Sequence, residues 1–283
     1  MFTSKVTSSS VSSDGETVKL LVQLQDGLSV EAVIMTYSGN GSDDCASKSR
    51  ATVCVSSEVG CQMGCTFCAT GTMGLIAELT SGEIVEQLVH ARSVKPVRNV
   101  VFMGMGEPLN NYNAVAAAIR LMIHPQVFAL KQRSITVSTV GVTHRLASLA
   151  RDLPGVSLAL SLHAPNQQLR RLIVPSAQAF KLDKLMAAVD AYTSATGNRV
   201  FVEYTLPPPP SPRPLSPLIV TRRAGTCCLA PTSTALTAMR TSLANCCAVA
   251  TSASISSPGT LCSAPASTSG RRLRVLQACS RAL

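Results

Sequence analysis

The stretch Cys61-Gln62-Met63-Gly64-Cys65-Thr66-Phe67-Cys68 holds three cysteines, separated first by three residues and then by two. Thiolates at these gaps can wrap one loop around a corner of a cubane iron–sulfur cluster. One iron is then left without a protein ligand and stands open to a small molecule, whereas a four-cysteine site usually only carries electrons. The alternatives are buried core thiols or a structural zinc site. Zinc takes four protein ligands, usually from paired Cys-x-x-Cys knuckles, and no second pair stands in a suitable context. Cluster thiolates need a reducing compartment, so the eleven cysteines are read as mostly unbridged. That places the chain in the cytoplasm or, in a eukaryote, in a plastid or other organelle stroma.

Strands and helices alternate around this loop. Val18 to Leu24 and Ser29 to Met35 read as two strands flanking the turn signal Gln25-Asp26-Gly27, which makes a small β-hairpin. A polar loop follows over 38–49, and Ala51 to Val55 forms a short strand leading into the cysteines. Thr80 and Glu83 have capping-box spacing and open a helix to about Ser93. Further strands are predicted at Asn99 to Met105, Ser134 to Val140, Val156 to Leu162 and Arg199 to Leu206. Helices are predicted at Asn113 to Ile123, Thr143 to Ala150 and Lys181 to Thr193. This alternation predicts an α/β fold with a parallel sheet covered by helices. Sites in such sheets form at the C-terminal strand ends. The cysteine loop, Gly104 to Pro108, Val140-Gly141 and His163 all fall there.

The net charge of +10 suggests a nucleic-acid footprint until the chain is divided. Residues 1–206 carry 17 basic and 15 acidic side chains, and 207–283 carry eight arginines with no lysine or acid. Charge is therefore weak evidence for an RNA partner. A 77-residue stretch without any acid or lysine departs from the average of about 25% charged residues of both signs. Strand and helix periodicity also stops after Leu206. We read 207–283 as a low-complexity tail, not natively folded, from a shifted reading frame or a mispredicted exon. The serine-rich start is either the remnant of a transit segment or a disordered tail, and its lack of arginine favours the tail. No apolar run reaches the ~18 residues of a membrane span, so no membrane partner is expected.

Several motifs join the cysteine loop: Ala69-Thr70-Gly71-Thr72-Met73-Gly74, Gly104-Met105-Gly106-Glu107-Pro108-Leu109-Asn110-Asn111, and Cys54-Val55-Ser56-Ser57-Glu58-Val59-Gly60. Val137-Ser138-Thr139-Val140-Gly141-Val142 and Ser161-Leu162-His163-Ala164-Pro165-Asn166 complete the set. As a set they resemble the radical S-adenosylmethionine (SAM) enzymes, and more closely the RlmN/Cfr-type RNA methyltransferases, which methylate a ring carbon of adenine. The resemblance covers about residues 17–206 and implies a partial (β/α) barrel of radical-SAM type preceded by the hairpin. The expected organisation is a disordered N-terminus over 1–16, hairpin and loop over 17–50, an incomplete barrel core over 51–206, and the tail over 207–283.

The resemblance implies a 4Fe-4S cluster on Cys61, Cys65 and Cys68, with SAM chelated at the open iron. Gly106 would permit close backbone approach to SAM, and Glu107 would accept hydrogen bonds from its ammonium. Ser138, Ser161, Leu162 and His163 would complete the SAM site. By themselves the serines read as satisfied core hydroxyls and His163 as a core histidine; the alternative for Glu107 is an ordinary surface carboxylate, but a Gly-Glu-Pro at a strand end favours a site. Cys54, seven residues before Cys61, matches the cysteine that resolves a protein–RNA crosslink; alone it reads as a buried strand cysteine. Glu31 aligns with the carboxylate proposed to accept the substrate proton. The expected partners are ribosomal RNA, transfer RNA as a second substrate, and an electron donor such as a flavodoxin or ferredoxin.

The family's methyl-carrying cysteine lies in an Ala-Cys-Gly context near the chain end, and this sequence has no such triplet. Cys279 is the nearest candidate, in Gln277-Ala278-Cys279-Ser280. The family's last barrel strand, its Asn contact to SAM and its N-terminal helical domain find no match either. The expected function is therefore that of a carbon-2 adenine methyltransferase impaired in methyl transfer. The alternatives are another radical SAM enzyme and a non-catalytic iron–sulfur protein.

Overall fold

Continuous apolar runs and alternating ones both enter a single nine-stranded sheet in the computed structural model, which describes residues 2–37, 50–205 and 217–222. Strands β1 (Lys5–Val11), β2 (Thr17–Gln23), β3 (Ser29–Tyr37) and β4 (Arg50–Cys54) are antiparallel neighbours. β5 (Glu58–Cys61) and β6 (Gly74–Glu78) form a separate two-stranded sheet around the cysteine loop. From β4 the main sheet continues parallel through β7 (Val97–Phe102), β8 (Ile135–Thr139), β9 (Ser157–Ser161) and β10 (Val200–Thr205). β11 (Pro217–Arg222) closes the list, antiparallel to β10. Helices α1 (Ser81–Val94), α2 (Tyr112–Ile123), α3 (Thr143–Asp152), α4 (Gln167–Ile173) and α5 (Leu182–Thr196) fill the crossovers.

The parallel strands lie in the order in which the chain makes them. That is the progression of a (β/α) barrel, whereas a doubly wound sheet reverses direction partway. The predicted partial barrel and hairpin are therefore present. Helix α1 begins as expected: Thr80 Oγ1 accepts from Glu83 N at 3.3 Å and the Glu83 carboxylate accepts from Thr80 N at 2.8 Å, a complete capping box.

The structure adds elements that the sequence reading did not contain. Residues 1–16 are not simply unstructured, because Lys5–Val11 pairs along β2. Every residue of β1 is exposed, so its pairing rests on backbone hydrogen bonds that a hydrophobicity reading does not see. The segment 207–283 contains the strand Pro217–Arg222, paired to β10; its remainder, like the loop 38–49, lies outside the described residues. The sequence reading also missed β5, β6 and α4. α4 has only seven residues, too few for helical periodicity to register.

Register divides the parallel strands into two faces. Val53, Val100, Phe102, Ile135, Val137, Leu158 and Leu160 share one face, and each is 1% exposed or less. Full burial of such side chains contributes about 1.5–3 kcal/mol each. The other face carries, strand by strand, Glu31, Cys54, Val101, Ser138, Ser161 and Glu203. No helix among the described residues is long and apolar enough to cross a membrane.

Candidate active site at the strand ends

The cysteine loop is shaped by close backbone approaches. At Gly60, with φ +77°, an added Cβ would collide with the Gly74 carbonyl across the β5–β6 ladder. Within the loop Cys68 N donates to Cys65 O at 3.1 Å and Gly71 N to Cys68 O at 3.1 Å. The loop rests on the end of α4, where Thr66 N donates to Ile173 O at 2.9 Å and Ser176 N to Met63 O at 3.4 Å.

The three thiols feel one another. Burial pushes Cys65 up to about 12, and the neighbouring Cys68 and Cys61 push it further in the same direction. Burial likewise pushes Cys61 up to about 11, with Glu58, Glu107 and Cys68 adding to the rise. Such thiols become thiolates near neutral pH only against a strong local cation. Three thiols on one loop are one short of the four protein ligands of a structural zinc site and match three corners of a cubane, so Cys61, Cys65 and Cys68 are the residues that would hold an iron–sulfur core.

Beyond β7 the chain turns through Gly104-Met105-Gly106-Glu107. Gly106 has φ +99°, and an added Cβ would lie 2.6 Å from Glu58 Cβ, so only glycine fits. This approach joins two buried carboxylates. Glu107, 3% exposed, accepts from Val140 N at 2.9 Å on Oε2 and from Leu109 N at 3.1 Å on Oε1. It is not the surface carboxylate of the bland reading. Burial pushes it up to about 7, against the two N–H groups that stabilise its charge. The Thr139 hydroxyl is a third donor, which leaves the carboxylate one lone pair for an ammonium.

Glu58 went unassigned in the sequence reading. It is fully buried, and its Oε2 accepts from Glu107 N at 2.9 Å. Its Oε1 is buried with no hydrogen-bond partner. Burial pushes Glu58 up to about 7, with Glu78 adding to the rise. The available signal was an acid in the otherwise uncharged run between Cys54 and Cys68.

Ser138 and Ser161, on adjacent strands, have hydroxyls 3.2 Å apart. Both donate to Glu203 of β10, at 3.3 Å and 2.7 Å. The sequence reading also missed Glu203, whose one signal was an acid within the apolar run Val200-Phe201-Val202. Burial raises the Glu203 carboxyl, and the two hydroxyls partly offset this.

Leu162 and His163 follow directly, and both backbone N–H groups donate to Glu203 O at 3.1 Å. His163 has φ 61° and is buried. Its ring meets Phe67 of the cysteine loop edge-on, with centroids 4.6 Å apart. Burial, and then the charge of Arg170, push the imidazole down to about 4, so it is neutral at physiological pH.

Cys54 and Glu31 stand further along the same face. Cys54, 1% exposed, packs with Val33 and Met35, and Val101 and Met103 lie against them. Glu31 is half-buried and pairs with Lys19 at 3.0 Å. The structure thus brings Gly106, Glu107, Ser138, Ser161, Leu162 and His163 to the strand ends. Cys54 ends β4, the first of the parallel strands, on the face of Ser138 and Ser161, and Glu31 shares that face on the antiparallel strand β3.

The sequence profile of the radical SAM superfamily matches residues 55–213. The chain belongs to the radical SAM superfamily. The cofactors of that superfamily are a 4Fe-4S cluster and SAM, which agrees with the donor set above. Among curated relatives, the ribosomal RNA large subunit methyltransferase N of Nitrosopumilus maritimus is 43% identical over 201 residues, 69% of this chain and 56% of the relative. The dual-specificity RNA methyltransferase RlmN 1 of Myxococcus xanthus is 43% identical over 202 residues, 70% of this chain and 54% of the relative. A radical SAM methyltransferase from Sphaerobacter thermophilus has a similar crystal structure, with a TM-score of 0.67 and 31% identity over 87% of this chain and 75% of that one. The chain spans about half the length of the curated relatives it matches. The RlmN-type resemblance read from the motifs thus agrees with these radical SAM relatives.

Proposed function

We propose that this chain is the radical SAM core of an RlmN-type enzyme that methylates carbon 2 of adenine in ribosomal RNA and in transfer RNA. The observation that carries this reading is the shared register, which puts Glu31, Cys54, Ser138 and Ser161 on one face of the sheet. In this reading Cys61, Cys65 and Cys68 hold the cluster, and Gly106, Glu107, Ser138, Ser161, Leu162 and His163 hold SAM. When bound, these groups supply one-electron cleavage of a sulfonium bond, chemistry that no side chain provides.

The chain's own residues bind and orient. With their protons given to Glu203, the Ser138 and Ser161 oxygens remain as acceptors, which suits ribose hydroxyls. Glu107, held by two N–H groups and the Thr139 hydroxyl, offers its remaining lone pair to an ammonium. Neutral His163 adds no charge against a sulfonium. Glu31 would accept the substrate proton, and Cys54 would resolve the crosslink.

We infer cluster binding and SAM cleavage, driven by a flavodoxin- or ferredoxin-type donor. The full chain, reconstituted anaerobically with SAM and reductant, should release 5′-deoxyadenosine, and absence of 5′-deoxyadenosine would overturn the catalytic reading. Cys54→Ala separates this reading from other radical SAM reactions, because only here does the cysteine take part.

A further inference from the structure

We infer that Arg170 is a positioning residue for the proposed iron–sulfur cluster, and that its buried positive charge makes the cluster easier to reduce. The inference rests on the cluster assigned above to Cys61, Cys65 and Cys68.

Arg170 belongs to α4 and is fully buried. Its Nε donates to Leu162 O at 3.2 Å, its Nη1 to Phe180 O at 3.0 Å, and its Nη2 to Val140 O. The fork thus ties together the chain just beyond β8 and β9, beside His163. All three partners are main-chain carbonyls, which satisfy N–H groups but carry no net charge. The two ion pairs among the described residues are Lys19–Glu31 and Arg151–Asp152, so no carboxylate pairs with this guanidinium. A buried cation without an anion costs several kcal/mol. Burial lowers Arg170 to about 10, which still leaves it charged at neutral pH.

The cysteine loop is the place where an anion would answer this charge. The end of α4 carries that loop through Thr66–Ile173 and Ser176–Met63 hydrogen bonds. His163, which follows the Leu162 carbonyl held by Arg170, meets Phe67 between Cys65 and Cys68, with ring centroids 4.6 Å apart. A cubane with three thiolates is anionic, and reduction adds one more negative charge. Cluster potentials follow net charge, hydrogen bonding and exposure. A cation fixed by three carbonyls therefore stabilises the reduced form more than the oxidised form. The step is a one-electron reduction in which a low-potential flavodoxin- or ferredoxin-type donor is oxidised and no bond forms or breaks.

The test is a spectroscopic redox titration of the reconstituted full chain, with iron and sulfide measured in each sample. Arg170→Gln should shift the midpoint to a more negative value, leaving about tenfold less reduced cluster at a fixed potential, about 59 mV. Arg170→Lys should stay near the parent, and so should Arg171→Gln, which removes an exposed charge from the same helix. A cluster in Arg170→Gln at the parental midpoint overturns the inference. If Arg170→Gln takes up no iron and sulfide while Arg170→Lys does, the need for charge is upheld. If neither takes them up, the arginine acts through its hydrogen-bond fork alone and the inference falls. A parent protein without iron and sulfide defeats the cluster assignment itself, and this inference with it.

Discussion

Glu58 and Glu107 are two buried carboxylates, joined where the Glu107 backbone N–H donates to Glu58, and both are pushed up to about 7. Between their ordinary value of 4.5 and about 7 the folded protein holds more protons than the unfolded chain, so they make stability fall as pH rises through that window. His163, pushed down from 6.5 to about 4, works in the opposite direction between those two values. Glu58→Gln removes one falling contribution and leaves His163 in place. The variant should gain stability relative to the parent between about pH 5 and 8, as measured by urea denaturation of both apoproteins. A parent–variant difference that does not change with pH would reject this. Ser161→Ala leaves Glu203 Oε2 without its nearest donor and should cost about 1–3 kcal/mol in the same assay. It should also weaken SAM binding, as anaerobic calorimetry would show.

Residue identity was legible where spacing forced it, as at Cys61, Cys65 and Cys68. It was illegible at Glu58 and Glu203. A carboxylate in a strand reads as a solvated one until the neighbouring strands are placed. Only the pairing of Glu203 with Ser161 across β9 and β10 turns that acid inward.

Among the elements, legibility followed burial. β7, β8, β9 and β10 each bury apolar side chains, and hydrophobic runs marked all four. The start of α1 was legible because Thr80 and Glu83 carry its cap locally. Thr80→Ala removes the acceptor for Glu83 N and should cost about 1 kcal/mol, measured by thermal or urea denaturation. β1 was illegible because its serines bury nothing. The β5–β6 ladder was hidden because the cysteine spacing dominated its reading. Gly60→Ala should break that ladder at the Gly74 carbonyl, and the purified variant should hold far less iron than the parent. Full iron in the variant would show that the loop tolerates another path.

For the whole molecule, charge is unevenly distributed along the sequence. Residues 1–206 are nearly neutral overall, while 207–283 carry eight arginines and no acid. Proteins that make 6–10 phosphate contacts lose about 10³–10⁵ in affinity between 50 and 200 mM salt. If the proposed RNA substrate is bound by residues 1–206, replacing the eight arginines by glutamine in the full chain should leave the salt slope of RNA filter binding largely unchanged. A slope that collapses would place the phosphate contacts in 207–283 instead.

The strand pairing that lines up Glu31, Cys54, Ser138, Ser161 and Glu203 also imposes a parity rule on the gene. Removing one codon inside β8 would swing Ser138 to the side occupied by Val137, and the same holds for β9 and β10. Within these strands length can change only in even steps, so insertions are confined to the connections at the far end, where the helices hand the chain back to the sheet.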